Sequence, residues 1–154
     1  MVASPTPRTY VLDTNLYVRA LRDREARRQL LEFLDNTAGR VRLHAVVTME
    51  LRSGARTALQ REALDALVAA HDARGRVIVP GTAAYDEAGR VLAQLAAKER
   101  LDLAALRASF RLDVLLATSC REAHVTLVTA NHADFARIAR HLRGFGVTAP
   151  WPSG

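Results

Sequence analysis

The sequence predicts an α/β fold: a mainly parallel sheet of about five strands, covered by helices on both faces. Three observations point there. Short β-rich apolar runs alternate with longer stretches rich in Ala, Leu, Arg and Glu at helical spacing, and strands separated by helices make βαβ units. Glycine and proline stand at the junctions. The chain has 154 residues, 49% hydrophobic and 25% charged, which suits one globular domain with its own core.

The first strand is Tyr10–Leu12, the second residues 41–43, the third 77–79, the fourth Thr126–Val128, and a weak fifth 147–149. Helical spacing runs over residues 25–35, 46–70, 83–100 and 113–123. Gly39 precedes the second strand, Gly75 the third, and Pro80-Gly81 follow it. Gly144-Phe145-Gly146 lead into the last strand, and Pro150-Trp151-Pro152 close the fold. No internal repeat, low-complexity segment or linker interrupts the pattern, so residues 1–154 read as a single domain with a core over about 9–149. No apolar run approaches the roughly 18 residues of a membrane span. The first seven residues lack the apolar stretch of a secretory signal. A cytoplasmic protein without a membrane partner is the expectation. The single cysteine, Cys120, excludes an internal disulfide and a cysteine-built zinc cage.

Twenty-two basic residues against sixteen acidic ones leave a formal charge of +6, and Lys98 is the only lysine. Two readings stand. Guanidinium forks match phosphate oxygens, so an anionic partner, nucleic acid foremost, is one. Codon composition alone is the other, since alanine is abundant as well.

In open parallel sheets, ligands bind outside the carboxyl ends of the strands near a switch in strand order. The acids to weigh are those just after each strand and in the following helix. Asp13 follows Tyr10–Leu12 directly, in the run Asp13-Thr14-Asn15. One helix start needs one N-cap, and here three capping types stand in a row. Glu50 falls on a helical face otherwise made of Val47, Leu51, Gly54, Ala55, Ala58 and Leu59, if residues 46–59 form one helix. An acid there is costly unless a cation meets it. Either an ion pair to an arginine such as Arg19 or Arg22, or a metal, would serve. Asp113 repeats the anomaly beside Leu116, Ala117 and Cys120, at what reads as the start of a helix, where the macrodipole favours negative charge. After the fourth strand comes Thr129-Ala130-Asn131-His132-Ala133-Asp134-Phe135, in which Asn131 and Asp134 also have capping-box spacing. Asp13 and the Asn131/Asp134 turn share one rim, and Glu50 and Asp113 sit in the first turns of helices that begin there. Carboxylates gathered at one rim resist ionisation unless divalent cations join them. An all-oxygen set suits Mg²⁺ or Mn²⁺. Two such ions about 4 Å apart can activate water in phosphodiester hydrolysis.

Taken in order, Asp13-Thr14-Asn15 after a strand, Glu50 in a later helix, Asp113-x-x-Leu-x-Ala-Thr, and Leu127-Val128-Thr129-x-Asn131-x-x-Asp134-Phe135 resemble a PIN domain, closest to the VapC-type toxin ribonucleases of bacterial toxin–antitoxin pairs. The resemblance covers about residues 10–149. It implies a three-layer α/β/α sandwich and a Mg²⁺- or Mn²⁺-dependent endoribonuclease acting on RNA. It also implies a homodimer held inactive by a cognate antitoxin protein. Asp13, Glu50 and Asp113 match the three metal-binding acids, with Asp134 as the candidate fourth. Thr14, Asn15 and Thr129 match supporting residues. Asn131 departs from the family, because many members carry an acid there, so either Asn131 or Asp134 completes the site, with Asn131 otherwise a supporting residue.

Other chemistries lack their residues. Five histidines show no metal-ligand spacing and read as caps or surface residues, and no glycine-rich phosphate loop occurs. Arg19, Arg22, Arg24, Arg27 and Arg28 crowd one segment, and Arg137, Arg140 and Arg143 another. Each set is either a solvated helical face or a collar guiding RNA to the acids, with Arg19, Arg22, Arg137 and Arg140 as the candidate contacts. Tyr17, Phe135 and Trp151 are the candidate base-stacking platforms. Apolar positions at residues 91–95 are the candidate dimer surface.

Overall fold

The structure is a computed structural model and describes residues 6–153. The leaderless N-terminal reading rests mostly on residues 1–5, which lie outside the described residues, as does Gly154.

Three central strands are largely buried, and Arg42 and Thr126 are their only half-buried residues: β1 (Tyr10–Leu12), β2 (Val41–His44) and β4 (Thr126–Val128). The edge strands, β3 (Val77–Ile78) and β5 (Gly146–Thr148), are half-buried. The order is β3-β2-β1-β4-β5, with every pairing parallel. The chain steps outward from β1 to β3, then returns to lay β4 and β5 on the other side of β1. Right-handed crossovers in opposite directions send the helices to opposite faces. One face takes α1 (Thr14–Arg22), α2 (Arg24–Asn36), α3 (Ala45–Gly54) and α4 (Ala58–Asp72). The other takes α5 (Thr82–Glu99), α6 (Ala108–Glu122) and α7 (His132–Ala139). Packing follows suit: α1 lies against α2 and α3, and α6 against α5 and α7. The result is a three-layer α/β/α sandwich whose switch in strand order lies between β1 and β4, beside Asp13.

Several expectations need correction. Residues 46–70 are two helices, not one. Helix α3 stops at Gly54, and a capping box between Thr57 and Gln60 restarts the chain as α4. Ala58 and Leu59 therefore do not share a face with Glu50, and Leu59 is 76% exposed. Helix α6 starts at Ala108, five residues earlier than expected, because Phe110 reaches the core at 2% exposure. Asp113 and Glu50 are thus the sixth residues of their helices, in the second turn, beyond the reach of the macrodipole argument. Val91 and Leu95 are buried inside the chain, on the stripe Ala84, Ala88, Val91, Leu95 that α5 turns toward α6. They offer no dimer surface. Phe135 is fully buried and Tyr17 nearly so, which removes both as stacking platforms, and Trp151 packs on Phe33 with ring centroids 5.0 Å apart.

At Gly39 the backbone takes the left-handed conformation that favours glycine. Its φ is +75°, and an added Cβ would come within 2.7 Å of the Arg76 guanidinium.

Candidate active site

Strand β1 delivers Asp13 to the rim, where its backbone N–H donates to the Val128 carbonyl at 2.9 Å and ties the ends of β1 and β4 together. The side chain is 5% exposed. It caps α1 by accepting from the Thr14 N–H at 2.7 Å. Its other oxygen accepts from Asn15 Nδ2 at 2.9 Å and from the Thr129 hydroxyl at 2.6 Å. Burial still raises its pKa, with those three hydrogen bonds opposing. The cap and the site are one residue with two jobs.

Helix α1 next presents the Thr14 hydroxyl, which donates to Glu50 Oε2 on α3. That bond, and not an ion pair to Arg19 or Arg22, is what meets this half-buried acid. Burial raises the Glu50 pKa, the Thr14 bond opposes, and the charge of Asp13 adds to the rise. Asp113 on α6 responds most, being pushed up to about 7. Burial leads, followed by the charges of Asp13, Glu50 and Asp134, while Arg107 opposes. Asp113 therefore feels the charge of the other three acids, and Glu50 that of Asp13.

Asp134, in the first turn of α7, accepts from Arg107 Nη2 and from Asn131 Nδ2, both at 3.1 Å. Asn131 stands at the N-cap position without making a side-chain cap, and its N–H donates to the Thr129 hydroxyl at 2.9 Å. Thr129 thus donates to Asp13 and accepts from Asn131, so both roles of its hydroxyl are filled.

Among the described residues, no three His, Cys, Asp or Glu side chains stand as a ready metal cage. Glu50 is turned to Thr14, and Asp134 to Arg107. The donor set still fits a hard cation: oxygen ligands only, three carboxyls above their ordinary range, and a buried Asn15 Oδ1 without a partner. Asp13, Glu50 and Asp113 are the residues that could hold one.

The candidate RNA contacts divide. Arg19, Arg22 and Arg140 are exposed. Arg22 also borders a groove of about 390 Å³ between α1, α2, α3 and α4 that reaches Glu50. Arg137 is committed elsewhere: two of its nitrogens donate to Glu99, and its guanidinium lies 4.9 Å from the Phe110 ring centroid. It fastens α7 to α5 and α6. Sequence reasoning missed Arg107, the N-cap residue of α6 that holds Asp134. It also left His44 as one cap among five histidines, whereas His44 is completely buried. A histidine directly after a strand and before a helix was the available signal.

The described helices include none long and apolar enough to cross a membrane. Residues 10–141 match the family model described as PIN domain. The fold is shared with DNA-bound VapBC from Salmonella typhimurium, 23% identical over 92% of this chain and 98% of that one, with a TM-score of 0.68. VapBC2 from Rickettsia felis bound to a DNA fragment from its promoter is 19% identical over 94% and 99%, with a TM-score of 0.62. A toxin–antitoxin complex from Klebsiella pneumoniae is 17% identical over 93% and 98%, with a TM-score of 0.60. No curated protein is significantly similar in sequence.

Proposed function

The chain belongs to the PIN-domain family, and from that premise we propose that it is a divalent-cation-dependent endoribonuclease, the toxin of a toxin–antitoxin pair. One observation carries the reading. At the switch point between β1 and β4, Asp13 is buried and held by Thr14, Asn15 and Thr129, and its charge bears on both Glu50 and Asp113. Such a site is built to present negative charge where burial opposes it, which is useful only if a cation arrives.

Asp13, Glu50 and Asp113 would hold Mg²⁺ or Mn²⁺. When bound, the ion supplies Lewis-acid activation of water and neutralises phosphate charge. The chain's own residues do the rest. Three donors stop the Asp13 carboxylate from rotating, and the Thr14 hydroxyl orients Glu50. Asp113, its pKa pushed up to about 7, must give up its proton to take the cation. Arg107 and Asn131 steady Asp134. Exposed Arg19, Arg22 and Arg140 offer positive charge to the RNA backbone. The antitoxin part of the reading draws on the fold shared with the complexes named above, and a homodimer rests on the family alone.

Incubating the protein with mixed RNA in Mn²⁺ and in EDTA tests the reading. Cleavage confined to the Mn²⁺ sample supports it, and intact RNA in both refutes it.

A catalytically silent RNA-binding module is the second reading. Neutral Asn131, together with the engagement of Asp134 by Arg107, favours it. Calorimetric titration with Mn²⁺ separates the two, because a silent module takes up no ion at millimolar levels. A nuclease of RNA maturation without an antitoxin would cleave equally well, but no small antitoxin gene would stand beside its own.

A further inference from the structure

A second polar pair lies beneath the acids, and nothing in the chemistry above uses it. His44 ends β2 and caps α3; Ser119 lies on α6; both are 0% exposed. The Val46 N–H donates to His44 Nδ1 at 3.1 Å, so the ring proton sits on Nε2. Nε2 stands 2.8 Å from Ser119 Oγ and donates to it. Burial pushes the His44 pKa down to about 4, which keeps the ring neutral and this tautomer in place near neutral pH.

Sequence spacing ties the pair to the acids. Glu50 comes six residues after His44, and Asp113 comes six before Ser119. The charges of Asp13 and Glu50 both bear on Asp113, and that of Asp13 on Glu50, so the acids share one region of the molecule, while His44 and Ser119 are in direct contact. Matched pairs in opposite sequence order point to α3 and α6 running antiparallel where they meet, beside the end of β2, although each covers a different face of the sheet. The acids then lie about 9 Å along both helices from the hydrogen bond. Glu50 and Asp113 repel, and among the described residues no other side-chain hydrogen bond ties α3 or its cap to α6. A bond made in a dry interior resists that repulsion better than one in water.

We propose that the His44–Ser119 hydrogen bond is the spacer that sets the separation of Glu50 and Asp113, making His44 and Ser119 positioning residues for the cation site. The cation part rests on the function proposed above; the spacing part does not. Ser119→Ala removes the acceptor. His44→Asn keeps a side chain able to cap Val46 but too short to reach Ser119, and it reads the same bond if Ser119→Ala fails to fold. Cys120→Ala, beside Ser119 and equally buried, controls for general loosening of α6. The expected result is Mn²⁺ affinity at least about tenfold weaker in the first two variants, as for other residues that orient ligands. In metal-free protein, the backbone amide resonances of Glu50 and Asp113 should shift in the same two variants, and Cys120→Ala should do neither. Folded variants with unmoved Glu50 and Asp113 amides overturn the spacer. Moved amides with wild-type Mn²⁺ affinity overturn its role at the cation site. Wild-type protein that binds no Mn²⁺ defeats the cation reading, and the amides then decide the spacer alone.

Discussion

Thr129 donates its hydroxyl to Asp13 Oδ2 at 2.6 Å across 116 residues of sequence. The bond joins the ends of two strands that the chain order separates widely and the sheet makes neighbours. It completes the set of donors that holds a buried carboxylate at the switch point. From this relationship, and from the acids around it, four expectations follow for the protein in solution.

Asp13→Asn should cut RNA cleavage at least about a hundredfold, because charge stabilisation at such a site is worth several kcal/mol. The thermal midpoint at pH 7.5 should hold or rise, since the variant no longer buries a charge. Cleavage at the wild-type rate by a folded variant would reject the site.

Asp113 makes metal binding depend on pH. Its folded pKa, about 7, lies above the ordinary 3.8, so the cation must displace a proton at lower pH. Mn²⁺ affinity should rise about tenfold per pH unit up to about 7 and level off above it. Without metal the sign reverses. The folded state keeps its proton longer than the unfolded chain, so the stability that Asp113 contributes is present below about pH 4 and lost as pH rises through about 7. Denaturant curves for wild type and Asp113→Asn, taken at several pH values, should show the wild type losing ground over that window. His44 titrates in the opposite sense, but it is common to both proteins and cancels in the difference. A difference independent of pH would contradict the electrostatic picture.

Arg107 is the positive charge that opposes the proton affinity of Asp113 and holds Asp134. Arg107→Ala should therefore move the Asp113 midpoint further upward, read from its carboxyl ¹³C resonance, and carry the acid limb of the cleavage profile with it. An unmoved midpoint would show that Arg107 acts on Asp134 alone.

Arg137 and Arg19 should part company. Arg137→Ala should cost about 1 kcal/mol of stability through the lost Glu99 pair and ring contact, with RNA affinity unchanged. Arg19→Ala or Arg22→Ala should leave stability alone, weaken RNA binding and lower the salt slope by about one. Filter binding across a salt series, beside denaturant melts, distinguishes them. Weakened binding in a stable Arg137→Ala protein would restore that residue to the RNA surface.

Much of this architecture is written locally. Apolar triplets at Tyr10–Leu12 and Thr126–Val128 announce buried strands, and Glu50 and Asp113 stand out as acids on apolar stretches. The Thr57–Gln60 capping box was legible too, and it ends the long helix that apolar spacing alone would draw through residues 46–70. Spacing misplaced the start of α6 for a related reason: the turn from Ala108 is held by Phe110 entering the core, a contact with no periodic signature before Asp113.

From its sequence alone, this protein determined where its strands fall along the chain and the residues eligible for chemistry, because periodicity, caps and the cost of burying charge act over a few neighbouring residues. Tertiary structure alone decided the partnerships: Thr14 with Glu50, Arg107 with Asp134, Arg137 with Glu99, and His44 with Ser119. Such choices depend on which helix faces meet across the sheet, and twenty-one arginines of equal charge carry no local mark of which one will find a carboxylate.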